Sequence, residues 1–117
     1  MDNINQPGGG GHRYRFIGGC KLLVDQEGFL VSPEDWSEKI AEGLARELGL
    51  ESLQEKHWTV INYLRNFYFQ NGRAPLNRQL AKGTKMSLLE IEALFPGGIK
   101  NGARRLAGLP NPKATCM

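Results

Sequence analysis

The sequence predicts a mainly α fold: a compact helical domain with a helix-turn-helix-like portion, a small N-terminal β-hairpin and a flexible C-terminal arm. Three observations carry this. Apolar residues recur at helical spacing from Trp36 onward. Start and stop signals bracket each of those stretches. Before Ser32 the apolar runs are short and broken by glycine-bearing turns. With 117 residues, 40% hydrophobic and 23% charged, the chain has material for one core and not for two.

The elements follow in order. Residues 1–12, with the run GGGG, are too poor in apolar side chains to pack and are expected to form a mobile tail. Residues 13–107 form the domain. RYRFIGGCKLLVDQEGFLV reads as a hairpin or a three-stranded meander, with Gly-Gly and Asp-Gln-Glu-Gly as its turns and Cys20 as a small apolar filler beside the first. Ser32-Pro33-Glu34-Asp35 supplies a helix start, with serine as cap and acids toward the positive end of the dipole. Trp36, Ile40, Ala41, Leu44, Ala45 and Leu48 continue it, and Gly49 ends it.

A second start is expected at Ser52, with Glu55 three residues on. Trp58, Ile61, Leu64, Phe67 and Tyr68 then make the broadest apolar face of the chain, the central core helix, which stops at Asn71-Gly72. Pro75 opens a shorter helix carrying Leu76 and Leu80. Ser87 and Glu90 form a capping box ahead of Leu88, Ile91, Leu94 and Phe95, and Pro96-Gly97-Gly98 ends that helix. A last helical piece runs from Ile99 to Ala107, and residues 108–117 are the arm.

Several function classes are excluded on composition. No apolar run approaches the roughly 18 residues of a membrane span, so no membrane insertion is expected. No secretory h-region opens the chain, which implies a cytoplasmic protein. His12 and His57 stand alone, as surface or half-buried side chains, so no metal site and no cofactor is expected. The net charge of +3 conceals an asymmetry: residues 1–72 hold seven basic and ten acidic side chains, residues 73–117 eight and two. A basic half points to an anionic partner, whether nucleic acid, an acidic protein face or an anionic ligand.

Two constellations bear on function. In LAKGTKMSLLEIEAL, Ala81, Met86, Ser87 and Ile91 have the spacing of a helix-turn-helix, with Lys85 at the usual turn glycine. A nucleic-acid-binding module is one use of that shape and a compact packing unit the other. The second helix would begin Ser-Leu-Leu-Glu-Ile-Glu, which offers a phosphate-lined groove acids and leucines, so the packing use is preferred.

The second is KNGARRLAGLPNPKATCM. Cys116 stands next to last, where burial is not expected. Pro110 and Pro112 bias the tail toward an extended form, and from Gly108 it could reach about 25 Å. A thiol so carried could enter a partner's active site; a tail cysteine without a role is the alternative. Lys113 and a folded-back Arg104 or Arg105 would favour its thiolate, and the nearby terminal carboxylate would oppose them.

The stretches DQEGFL, EDW, KHWTVINYLRNFY, LFPGG and above all AGLPNPKATCM resemble the DsrC and TusE family of sulfur-relay proteins, from about Phe16 to Met117. The resemblance implies a helical fold with a hairpin and a flexible arm, and a persulfide carried on Cys116. It implies an upstream sulfur-donor protein and a downstream acceptor enzyme as partners, with tRNA thiolation at the end of TusE-type pathways. DsrC-type members act as the gamma subunit of dissimilatory sulfite reductase and use a second arm cysteine. The corresponding position here is Arg104 or Arg105, depending on where the extra residue of NPKATC is placed, so a two-electron role is not supported. Lys100, Arg104, Arg105 and Lys113 are the candidates for docking an acidic partner or steadying the persulfide anion, with solvated surface charge as the other possibility.

Overall fold

The computed structural model describes residues 12–110. Two strands, β1 (Arg13–Ile17) and β2 (Cys20–Val24), pair antiparallel with Ile17 opposite Cys20. The third strand of a meander reduces to a single bridge between Val24 and Leu30. The turn before that bridge is held by Asp25, whose Oδ1 accepts from the backbone N–H groups of Glu27 at 2.9 Å and Phe29 at 3.0 Å. Cys20 is exposed and free, so it fills no core as the sequence suggested. A residue at the hairpin end has the body on one side only.

Helices follow: α1 (Glu38–Glu47), α2 (Glu55–Asn71), α3 (Asn77–Thr84) and α4 (Leu88–Leu94), then a π-helical segment, Ile99–Arg104. α2 is the hub and packs against α3, α4 and the π-helical segment, while α1 lies against β1. The core gathers Ile17, Leu22 and Val24 of the hairpin, Ile40 and Leu44 of α1, Val60, Ile61 and Leu64 of α2, and Ile91, Phe95, Leu106 and Leu109 beyond. Each such side chain contributes about 1.5–3 kcal/mol when fully buried.

Three helix starts differ from expectation. Ser32-Pro33-Glu34-Asp35 does not open α1 but forms a separate 3-10 turn, Pro33–Asp35. The backbone at Trp36 is extended (φ −73°, ψ 148°) and the helix restarts after Ser37. Ser52 caps nothing in α2; Gln54 stands at the cap, and its backbone N–H donates to His57 Nδ1 at 3.0 Å. Pro75 and Leu76 precede α3 rather than open it, and Leu76 N–H donates to Gln79 Oε1 at 2.8 Å. The stops and the α4 cap agree: Gly72 takes the left-handed conformation after α2, and Ser87 Oγ accepts from Glu90 N–H at 3.1 Å.

The α3–α4 pair has the helix-turn-helix form. Lys85 makes its turn with φ 61° and ψ 31°, the only positive φ among the described non-glycine residues. A side chain there costs about 1 kcal/mol relative to glycine. Lys85 is exposed, so its removal sacrifices no packing. Lys85→Gly is therefore expected to raise Tm by about 3 °C, the gain being trimmed by the greater freedom of glycine in the unfolded chain. An unchanged or lower Tm in a thermal melt would contradict this.

Candidate functional site

The described residues end at Pro110, and the turn before it is the described part closest in sequence to the C-terminal segment. Three hydrogen bonds hold that turn, and one of their donors, Arg65, also reaches the 3-10 turn. Trp36 Nε1–H donates to the Leu106 carbonyl at 2.7 Å. Arg65 Nη1 donates to the Ala107 carbonyl at 2.8 Å and its Nη2 to the Pro33 carbonyl at 3.2 Å. Leu109 N–H donates to the Arg104 carbonyl at 3.2 Å. Leu106 and Ala107 end the helical run, where carbonyls lack partners of their own helix, and two side chains from distant elements supply them.

The two clamping side chains are themselves fixed. The Arg65 guanidinium carbon lies 4.1 Å from the Trp36 ring centroid and 5.0 Å from that of Phe69. A cation over an indole face is worth about 0.5–1 kcal/mol when exposed and more when desolvated. Burial pushes the Arg65 guanidinium below its ordinary pKa, with Glu34 acting in the other direction. Gly108, at φ 72°, turns the chain against Trp36; a Cβ there would lie 2.4 Å from Trp36 Cδ1. Gly108 and Leu109, grouped by sequence with the arm, are packed into the body, Leu109 at 1% exposure.

The sequence-derived cations separate. Lys100 and Arg104 line an open cleft of about 470 Å³ with Asn77, Glu92 and the Gly97-Gly98 turn. Arg104 Nη2 donates to the Pro75 carbonyl at 3.1 Å, and burial lowers its pKa. Arg105 turns to the Asp25–Phe29 turn, where its Nη2 donates to the Glu27 carbonyl at 2.6 Å and its guanidinium carbon lies 5.2 Å from the Phe29 ring centroid. Lys100 Nζ stands 3.8 Å from Glu27 Oε1. Lys100 therefore links the cleft to the Glu27 turn, whereas the two arginines brace the segment's end against two different carbonyls. Lys113 and Cys116 lie outside the described residues.

The helix-turn-helix face is poorly suited to phosphates. Leu89 on α4 is 81% exposed, Glu92 is exposed beside it, and Glu90 is paired with Lys56 of α2 at 2.7 Å. His57, expected at the surface or half buried, is instead buried at 6% exposure. Because its Nδ1 accepts from Gln54, its Nε2 carries the proton and donates to the Leu94 carbonyl at 2.9 Å. Among the described residues no three His, Cys, Asp or Glu side chains gather as a metal site, and no helix is long and apolar enough to cross a membrane.

Sequence reasoning missed the clamp. Its signal was Arg65 itself, which sits on the stripe Ile61, Leu64, Tyr68 of the central core helix, one turn beyond Ile61. A cation at a core position of a helix must find carbonyls or carboxylates there.

The fold and this turn define a class: a small helical body with a two-stranded hairpin, whose final described turn is held by an arginine–tryptophan clamp. The chain belongs to the DsrC-like family, whose description "DsrC like protein" matches residues 17–117. It is 38% identical over 94 residues to the dissimilatory-type sulfite reductase subunit gamma of Nitratidesulfovibrio vulgaris, covering 80% of this chain and 90% of that protein. It is 37% identical over 101 residues to the sulfurtransferase TusE of Sodalis glossinidius, covering 80% and 93%. The crystal structure of the oxidized gamma subunit of dissimilatory sulfite reductase (DsrC) from Archaeoglobus fulgidus superposes with a TM-score of 0.77 at 38% identity, covering 86% of this chain and 96% of that one.

Proposed function

We propose that the protein is a sulfur-relay carrier that holds persulfide sulfur on Cys116 and passes it between an upstream donor protein and a downstream acceptor enzyme. The observation that carries this reading is that the family match continues past the clamp, through Pro110 and Cys116 to residue 117. The relatives named as sulfurtransferases supply the chemical class.

The step is a transfer without net redox change. The Cys116 thiolate attacks the outer sulfur of a donor persulfide; the new S–S bond forms on Cys116 as the donor's S–S bond breaks, leaving the donor thiolate. An acceptor thiolate repeats the exchange. Rate depends on thiolate fraction, on which sulfur is attacked and on access. Leu109 is buried in the body, and Cys116 stands seven residues beyond it in sequence. Lys100 at the cleft, with Lys113, serves docking or steadies the persulfide anion, and Arg104 and Arg105 add positive potential from their braced positions. The two cysteines of the chain, Cys20 and Cys116, leave the arm with one thiol. It closes no disulfide within itself, which favours relay over a two-electron role beside sulfite reductase.

Incubation with glutathione persulfide followed by intact-protein mass spectrometry tests this. One added sulfur atom, removed by reductant, is expected on the parent protein and on Cys20→Ser, and none on Cys116→Ser. Loading that survives Cys116→Ser, or a parent that stays unloaded, would overturn the reading.

A further inference from the structure

We propose that the cleft formed by the start of α3, by α4 and by the π-helical segment binds a short peptide with free ends, its carboxylate taken by Lys100 and Arg104 and its ammonium group by Glu92. The proposal stands on residues 77–104 and is independent of the role of Cys116. Lys100, Arg104 and Glu92 line one open cleft of about 470 Å³. Yet no ion pair joins Glu92 to either cation, and among the described residues the side chains of Glu92 and Asn77 have no partner. Opposite charges that share a cleft without meeting are held apart by the elements that carry them, Glu92 by α4 and the two cations by the Ile99–Arg104 segment. A ligand bearing one charge of each sign is the complement of that arrangement.

Each group has capacity to spare. Arg104 spends Nη2 on the Pro75 carbonyl, while its Nε is buried with no hydrogen-bond partner. Its charge is thus stripped of water without full replacement, and a carboxylate in the cleft would oppose the burial that lowers its pKa. Lys100 Nζ lies 3.8 Å from Glu27 Oε1, longer than the roughly 2.7–2.9 Å of a charge-assisted hydrogen bond, so it retains donors for a second acceptor. Asn77, exposed at the start of α3, offers an amide to a peptide group. At Gly98, which also lines the cleft, an added Cβ would meet nothing within 4 Å, so the wall there is bare backbone. Size and charge argue against a lone inorganic anion. The volume falls within the roughly 300–1,000 Å³ of small-molecule sites. One water fills about 30 Å³ of liquid, so an ion a few times larger would leave most of the cleft to solvent. It would also face the Glu92 carboxylate with nothing to offer it.

The test titrates the full chain, kept reduced and at constant ionic strength, with triglycine, N-acetyltriglycine, triglycine amide and sodium sulfate, reading the backbone amide resonances of Gly98 and Lys100 by NMR. Triglycine is expected to shift both saturably, and the two end-blocked peptides to bind at least about five-fold more weakly. Two variants assign the ends. Glu92→Gln should abolish the preference for triglycine over its N-acetyl form while keeping the preference over the amide; Lys100→Gln should shrink the preference over the amide while keeping that over the N-acetyl form. Glu92 is exposed and Lys100 half-buried, and circular dichroism checks that both variants fold. Three results would overturn the proposal: no saturable shift with triglycine, equal affinity for the free and blocked peptides, or sulfate binding as tightly as triglycine in the parent, which would make the cleft a simple anion site.

Discussion

Gly108→Ala is expected to lower the unfolding free energy by about 3 kcal/mol, through two separate penalties. The backbone at Gly108 has φ 72°, a left-handed conformation that costs a Cβ-bearing residue about 1–2 kcal/mol. The added carbon also meets Trp36 at Cδ1 (2.4 Å), Cγ (2.8 Å) and Cβ (2.9 Å). Relief by moving the indole is obstructed, because its Nε1 is bonded to Leu106 and its face to Arg65. Denaturant unfolding followed by tryptophan fluorescence checks the prediction and reports on the clamp. A loss below about 1 kcal/mol would mean that indole and backbone separate freely.

His57→Ala is expected to cost about 3 kcal/mol, for a different reason. The ring fills space beside Phe95, edge on, with centroids 5.2 Å apart, and its removal leaves a cavity. It also leaves two backbone groups without their partner: the Gln54 N–H at the start of α2 and the Leu94 carbonyl at the end of α4. A buried polar group left unsatisfied costs about 1–3 kcal/mol. His57→Gln separates the contributions, since a glutamine at this third helical position can accept from the cap N–H as a capping box does. It should recover about 1 kcal/mol of the loss. Equal stabilities for the two variants in urea titrations would show that the ring's volume, and not its bridging of α2 to α4, decides the effect.

Local chemistry made most of this fold legible. Gly72 ends α2 where Asn71-Gly72 predicted, because a left-handed residue after the last turn is a local requirement that glycine meets. Ser87 caps α4 by a contact three residues long. Of the expectations that failed, the start of α1 was decided by a partner far away in sequence, and the starts of α2 and α3 by side chains three residues beyond the cap. The helix signal at Ser32-Pro33-Glu34-Asp35 is chemically sound, but the chain extends at Trp36, whose indole reaches the carbonyl of a residue 70 positions on. Ser52 had the spacing of a cap, yet His57 both closes the start of α2 and ties it to Leu94. At the candidate site the basic end was visible as composition. That Arg104 and Arg105 would brace different carbonyls, of Pro75 and Glu27, was not, because neighbours in sequence separate according to the helical turn that carries them.

That turn has a consequence for sequence change. A π-helical segment holds one residue more than an α-helix needs over the same span, and in Ile99–Arg104 the surplus is taken up before the chain reaches Leu106. Deleting one residue there would tighten the coil to ordinary pitch and rotate everything downstream by about 100°. Leu106 and Leu109 would swing from the interior toward water, and the Leu106 and Ala107 carbonyls would face away from the groups that now receive them. The surplus residue thus sets the angular phase of the last described turn, a property that no single side chain carries and that substitution alone would leave intact.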